Sequence, residues 1–223
     1  MIGLDYLVAG YFHLAAADVE CHLKRTPQIT VAASDTSVKY DHSKYQEQLD
    51  KIGSDTVSPY GDKVQAHVGG LMSGEVTVSQ NIRLYQENYP SLNLGCLYVD
   101  NLKIGIHINP KIYIAKDFAK DGCMYKAVME HEQKHIQVDR MIVNKYTSII
   151  VKGLDAALKK TGYAHGPFPA GQMQAEQKRL QDYTQGIVKA YSAQMNKERM
   201  QLQQQVDSLQ EYNRVNNLCR GKR

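Results

Sequence analysis

The hydrophobic pattern of the chain changes its period near residue 121, and this change constrains the fold more than any other feature. Before it, apolar residues alternate with polar ones in short runs, most clearly over residues 96–108, as in half-buried strands. After it, apolar residues recur every three or four positions from residue 123 to about 160. That spacing predicts one long amphipathic helix. We therefore expect an α+β fold, with a strand-rich first half and a helical second half.

Turn residues divide the first half into expected hairpins. Gly69-Gly70 and Ser73-Gly74 favour a turn within residues 63–83, and Asn109-Pro110 favours a second turn. The expected sheet is antiparallel and packs beside the long helix. Its other strands are expected at residues 28–33, 37–40, 96–108 and 111–115.

A second long helix is expected from residue 172 to about 217, because this glutamine-rich segment has an apolar stripe and no proline. A short loop precedes it, so the two helices should form an antiparallel hairpin. We assign residues 21–171 to one domain and residues 172–223 to a helix that packs on it. Alternatively, this helix pairs with a second copy as a coiled coil and forms a homo-oligomer.

The first long helix contains the motif His-Glu-x-x-His at residues 131–135. Residues four apart lie on one face of a helix, so His131 and His135 can reach the same ion. Glu132 projects at an adjacent angle, where it can deprotonate a metal-bound water. Zinc suits two neutral imidazoles, one carboxylate and an open water position. The alternative is two core histidines that bond to carbonyls or tyrosines.

The motif resembles that of the zincin metallopeptidases. The surrounding residues 123–140 look like a segment of bacterial proteins identified as exported zinc-dependent proteases, and residues 206–219 are similar to the end of such proteins. Residues 25–120 are less similar. The resemblance implies a zincin-like peptidase with a sheet beside the active-site helix. It also implies His131 and His135 as zinc ligands, Glu132 as the base, and a peptide or protein substrate.

The motif leaves the third metal ligand open. Val138 and Met141 occupy the positions where the metzincin class requires a glycine and a third histidine, so that class is excluded. If the helices turn back near residue 165, position 133 faces residue 197, which favours Glu198 as the third ligand. An acid on an apolar stripe needs a partner. The other interpretation of Glu198 is a salt bridge to the first helix.

Two further acids are candidates for the same role. Glu176 lies at the start of the second helix, and Asp139 lies one turn beyond His135 on the same face. That turn adds about 6 Å along the helix axis, which is too far for a shared ion. Asp139 is therefore expected to orient His135 from outside the ligand set.

The cysteines and the first residues bear on location. Residues 6–17 are apolar and end in three alanines, as at a signal cleavage site, although no Lys or Arg precedes residue 24. We assign residues 1–20 to an N-terminal signal segment and expect a periplasmic or secreted protein. The alternative is a cytoplasmic protein with buried thiols. The chain has four scattered cysteines, which are Cys21, Cys96, Cys123 and Cys219. They permit two disulfides in an oxidising compartment.

Composition excludes two classes of partner. The net charge of +4 comes from interspersed acids and bases, which does not favour nucleic acid binding. No run of eighteen apolar residues is present, so we expect no membrane span.

We predict a zinc-dependent metallopeptidase that hydrolyses peptide bonds. The alternatives are a hydrolase of non-peptide amides and a non-catalytic envelope scaffold of the same fold, with a structural metal or none.

Overall fold

One mixed sheet lies against two long helices in the computed structural model, which describes residues 19–54, 56–61, 67–120 and 122–220. The strands are β1 (Gln28–Asp35), β2 (Lys39–Asp41), β3 (Gly70–Tyr89), β4 (Leu94–Ile114) and β5 (Ala164–Pro169). The helices are α1 (Gln46–Leu49), α2 (Cys123–Thr161), α3 (Met173–Val206) and α4 (Leu209–Leu218). The expected α+β class is confirmed. Most of the expected signal segment lies outside the described residues.

Strand β4 is the centre of the sheet. Strand β3 pairs antiparallel along one of its edges. The other edge carries three short strands in line, of which β5 is antiparallel and both β1 and β2 are parallel to β4. The sheet is therefore mixed, and the expectation of an antiparallel sheet was wrong for β1 and β2. A segment of about 50 residues separates these two strands from β4, long enough for a parallel return.

Strands β3 and β4 form one long hairpin instead of the two short ones expected. A 3₁₀ turn at Pro90–Leu92 joins them, and Asn93 closes it with a left-handed φ of 52°. The backbone stays extended through Gly74, which pairs with Pro110. Proline is tolerated there because the β1 pairing stops at Ile108 and the β2 pairing starts at Lys111, so no partner needs its missing N–H. Residues 63–66 of the expected first hairpin lie outside the described residues.

Helices α2 and α3 cover one face of the sheet and run antiparallel. The α2 boundaries agree with the expected 123–160 to within one residue. The alternation in β4 points every second residue, including Ile104, Ile106 and Ile108, at the helices, where each buried side chain contributes about 2 kcal/mol. The core between sheet and helices includes Ile104, Ile106, Ile108, Ile142, Tyr146, Ile150, Leu154, Val188 and Met195.

The second helix was expected to continue to about residue 217, but it ends at Val206. Ser208 caps a new helix, α4, by accepting a hydrogen bond from the Glu211 N–H at 3.3 Å. A disulfide between Cys123 and Cys219 ties the end of α4 to the first residue of α2.

A second disulfide joins Cys21 to Cys96 in β4. Two disulfides are typical of proteins from oxidising, extracellular compartments. Among the described helices, none is both long enough and apolar enough to cross a membrane.

Candidate metal centre

Three ligand atoms from two helices converge beside the sheet. The Nε2 atoms of His131 and His135 lie 3.3 Å apart on adjacent turns of α2. Asp207, at the C-terminal end of α3, places Oδ1 3.0 Å from Nε2 of His131 and 3.3 Å from Nε2 of His135. All three residues are buried. This buried group could bind a metal ion.

The spacing of these atoms agrees with tetrahedral zinc coordination. Zinc–nitrogen and zinc–oxygen bonds are roughly 2.0–2.1 Å long, which makes the ligand–ligand edge of a tetrahedron about 3.3 Å. The three observed edges are 3.0, 3.3 and 3.3 Å. Two imidazoles and one carboxylate would leave one position of a four-coordinate metal ion to water or a ligand.

The register of the two helices explains why Asp207 takes this place. Lys145 faces Glu198, and Asp139 faces Gln203, so the helices turn back near residue 171. Strand β5 lies within the connection and moves the turning point beyond the expected residue 165. The residue opposite position 133 is then about ten residues further along α3 than expected, close to Asp207.

Glu198, the acid favoured by the sequence, lies elsewhere. Its carboxylate accepts a hydrogen bond from Lys145 at 2.5 Å and one from the Tyr146 hydroxyl at 3.1 Å. The Lys145 contact holds the pKa of Glu198 below its usual range. Glu176 pairs with Arg179 at 3.0 Å and is also not part of the cluster. The salt-bridge interpretation of Glu198 therefore describes the structure.

Asp139 orients His135 through an intermediate residue. The Asp139 carboxylate accepts hydrogen bonds from Arg199 and from Nε2 of Gln203, both at 2.6 Å. The same Gln203 nitrogen donates to the His135 carbonyl at 3.0 Å, so Oε1 of Gln203 faces Nδ1 of His135 at 2.6 Å. When the imidazole is neutral, Nδ1 therefore carries the hydrogen, which leaves the lone pair of Nε2 for a metal ion.

The surroundings of His131 come from α4. Oε1 of Glu211 lies 3.5 Å from Nδ1 of His131, and the Tyr212 ring meets the imidazole edge-on at 5.6 Å. Lys134 and Arg214 hold Glu211 in place at 2.7 and 2.6 Å. Helix α4 therefore positions the groups around one of the two histidines.

Glu132 is held by the beginning of β3. Its Oε2 accepts a hydrogen bond from the Met72 N–H at 2.7 Å, and only 4% of the residue is exposed. A side chain at Gly70 would meet Val128 at 2.4 Å and Glu132 Oε1 at 2.9 Å, so the close approach of β3 requires glycine. Burial raises the pKa of Glu132. The charges of the two nearby histidines act to lower this pKa, but the effect of burial is larger.

The other charged groups of the cluster stabilise one another. Burial alone would raise the pKa of Asp207, but hydrogen bonds from His131 and His135 outweigh it and hold that pKa below its usual range. Burial would lower the pKa of His135, yet Asp207, Glu132 and Gln203 together raise it. These groups favour a positive charge among the three ligand atoms.

Two cavities border the cluster from different sides. One has a volume of about 320 Å³ and lies toward the first turns of α2 and α4. The other has a volume of about 250 Å³ and lies toward α3 and residues 52–54 and 56–58. Both reach His131, Glu132 and Tyr212. A small molecule or a peptide side chain can thus approach the cluster.

Sequence reasoning missed Asp207 and Gln203. The signal was present: Ser208 followed by Glu211 three residues later is a typical helix N-terminus. Recognising that break would have placed Asp207 at the end of a helix, where its side chain can turn toward α2.

No family model, curated protein or solved structure matches this chain with significant similarity. Fold and site together define an α+β protein with a buried His-His-Asp group that could hold a metal ion.

Proposed function

We propose that this protein is a zinc-dependent metallopeptidase in which His131, His135 and Asp207 hold the ion. The observation that carries the proposal is the triangle of ligand atoms, whose edges of 3.0–3.3 Å fit tetrahedral zinc. The orientation of His135 by Gln203 supports it, because that hydrogen bond leaves Nε2 free to bind. The resemblance of the motif to zincins points the same way.

In the proposed reaction, Glu132 is the general base. Zinc held by His131, His135 and Asp207 would supply a Lewis acid for the scissile carbonyl and would lower the pKa of water at the site. Glu132 takes the proton of the attacking water and delivers it to the leaving amine. The Met72 N–H fixes one carboxylate oxygen and leaves the other, Oε1, to accept the proton.

The proposed substrate is an extended peptide beside β3. Among the described strands, only β4 pairs with β3, and we propose that a peptide main chain pairs with the other edge of β3. That edge begins at Gly70 and Met72, next to Glu132. A peptide paired there would pass the cluster between the two cavities. In keeping with the two disulfides, we propose that the protein works in the periplasm or outside the cell.

The test combines metal content with hydrolysis. Elemental mass spectrometry of the purified protein should find about one zinc per chain, and the loaded protein should degrade unfolded casein. Glu132→Gln keeps the shape of the side chain but removes the base. We expect this variant to retain zinc and to lose activity by at least about 100-fold.

Two results would contradict the proposal. Hydrolysis that survives in Glu132→Gln would exclude the mechanism. A wild-type protein that takes up no zinc, even on reconstitution, would leave two core histidines hydrogen-bonded to Asp207 and favour the scaffold function.

A further inference from the structure

Residues 56–61 form an exposed strap beside the candidate metal centre. The strap turns at Ser58, whose carbonyl accepts a hydrogen bond from the Gly61 N–H at 3.1 Å, with Pro59 at the next position as β-turns favour. Each of the six residues is at least partly exposed, and Val57 is 69% exposed. The position of the strap therefore depends on the polar and aromatic contacts that it makes with α3 and α4.

The first of these contacts joins the strap to α3 through the side chain of Gln204. Oε1 of Gln204 accepts a hydrogen bond from the Val57 N–H at 2.8 Å, and Nε2 donates to the Val57 carbonyl at 3.0 Å. The side-chain amide thus pairs with both backbone groups of Val57. Nε2 also donates to the Asp207 carbonyl at 3.5 Å. One side chain therefore links the strap to the residue that supplies the third ligand atom.

The second contact joins the strap to α4 through a row of three rings. Tyr60 meets Tyr212 edge-on at 5.7 Å, and Tyr212 meets the imidazole of His131 edge-on at 5.6 Å. The Tyr60 hydroxyl accepts a hydrogen bond from Nδ2 of Asn216 at 3.2 Å. The strap therefore supports the aromatic side chain that packs on one of the two histidines.

Asp207 needs support from outside its own helix. Helix α3 ends at Val206, and the Asp207 backbone leaves the helical conformation with a ψ of 49°. An interaction with the Thr56 hydroxyl is one of the causes that hold the pKa of Asp207 below its usual range. Residues 56–58 also line the cavity of about 250 Å³ that reaches Asp207 and both histidines. The strap thus meets the site at the point where helical hydrogen bonding no longer fixes the ligand.

We propose that the strap positions Asp207 for the metal ion, with Gln204 and Tyr60 as the positioning residues. Closure of the strap and binding of zinc then stabilise each other by the same factor, because each favours the state in which Asp207 faces the two histidines. This inference rests on the metal centre of the proposed function and does not depend on peptide hydrolysis.

The first arm of the test uses the wild type alone. Hydrogen exchange of a peptide that contains Val57 is measured by mass spectrometry in metal-free protein and with one equivalent of zinc. We expect zinc to slow the exchange by about tenfold, because opening of the strap then also displaces a metal ligand. The turn at Pro90–Leu92, at the far end of the β3–β4 hairpin, is the control and should exchange at the same rate in both states.

The second arm uses variants that leave every proposed ligand in place. Gln204→Leu removes both hydrogen bonds to Val57, so we expect faster exchange of the strap and a zinc affinity lowered by about tenfold. Gln205→Leu, at the exposed neighbouring position, should match the wild type. Tyr60→Ala should lower zinc affinity at least about threefold, whereas Tyr60→Phe keeps the ring and should stay close to the wild type. A chelating dye measures affinity, and circular dichroism checks folding.

The outcomes separate the two proposals. Zinc that binds without slowing exchange of the strap would overturn the inference and leave the peptidase standing. So would a folded Gln204→Leu that keeps wild-type zinc affinity or wild-type strap exchange, or equal zinc affinities in Tyr60→Ala and Tyr60→Phe. Absence of peptide hydrolysis while zinc and strap remain coupled would overturn the peptidase and support the inference. A wild type that takes up no zinc would overturn both.

Discussion

Oε1 of Gln203 lies 2.6 Å from Nδ1 of His135, although 68 residues separate them in the chain. Four positions later, Asp207 brings Oδ1 to within 3.3 Å of Nε2 on the same imidazole. One turn at the end of α3 thus orients His135 from one side and adds a ligand atom at the other. The register of α3 on α2 determines the geometry of the whole candidate metal centre.

Replacing Gln203 should weaken zinc binding without removing a ligand. We expect Gln203→Leu to lower zinc affinity by about 10- to 100-fold, because His135 loses the group that fixes its tautomer. Competition with a chelating dye measures the affinity. Gln201, exposed on the same helix, provides the matched control Gln201→Leu, which should bind zinc like the wild type. Equal affinities in both variants would contradict an orienting role for Gln203.

The third ligand can be identified by comparing two acidic residues. Asp207→Ala removes one of three ligand atoms, and we expect the purified variant to contain much less than one zinc per chain. Glu198→Ala breaks a partly exposed ion pair with Lys145, which lies away from the cluster, and should retain full zinc content. Elemental analysis of both proteins, with circular dichroism to check folding, decides between them. Zinc loss in folded Glu198→Ala but not in Asp207→Ala would reverse the assignment.

Acid should loosen the attachment of α4 through Glu211. Hydrogen bonds from Arg214 and Lys134 lower the pKa of this carboxyl from 4.5 to about 2. Because the pKa is lower in the folded state, its stabilisation is fully present above about pH 4.5 and is lost as the pH falls toward 2. We expect Glu211→Gln to reduce the free energy of unfolding by about 2 kcal/mol near neutral pH and by little in strong acid.

Urea unfolding at about pH 6 and about pH 2.5 measures this difference. Glu75→Gln, which changes an exposed acid on β3, is the control and should have a small effect at both pH values. A Glu211→Gln effect that is the same at both pH values would show that the carboxylate charge does not stabilise the fold.

Removing the Cys123–Cys219 disulfide should impair the candidate metal centre as well as stability. Helix α4 has ten residues and buries none of them fully, so it depends on the disulfide and on ion pairs for its position. With both cysteines replaced by serine, we expect a loss of about 4 kcal/mol in stability. Zinc affinity should fall too, because α4 positions Glu211 and Tyr212 beside His131.

The other disulfide is the matched control. Cys21–Cys96 spans 75 residues, close to the 96 of Cys123–Cys219, and removing it should cost similar stability. It lies near the beginning of β4, whereas the cluster lies beside the other end, so zinc affinity should stay at the wild-type value. Equal zinc affinities in both disulfide variants would contradict the dependence of the cluster on α4.

Local patterns were enough to predict the secondary structure that carries the two histidines. The three- and four-residue spacing of apolar positions located α2 almost to the residue, and the same spacing put His131 and His135 on one face. These features depend on residues within one helical turn of each other, and such residues are also close together in the sequence. The turn predicted at Asn109-Pro110 was wrong because pairing with β3 keeps the backbone extended through Pro110.

The identity of the acid beside the histidines depended on tertiary structure. Ser208 and Glu211 mark the helix break that follows Asp207, but no local pattern shows whether Asp207 or Glu198 faces the two histidines. The choice depends on where the chain turns back between α2 and α3. Strand β5 lies in that connection and moved the turning point by several residues. The α3 residue that faces the two histidines is therefore shifted by more than a full helical turn. The sequence by itself determined α2 and the placement of its two histidines on one face. Only the packing of α3 and α4 against α2 decided which carboxylate meets those histidines.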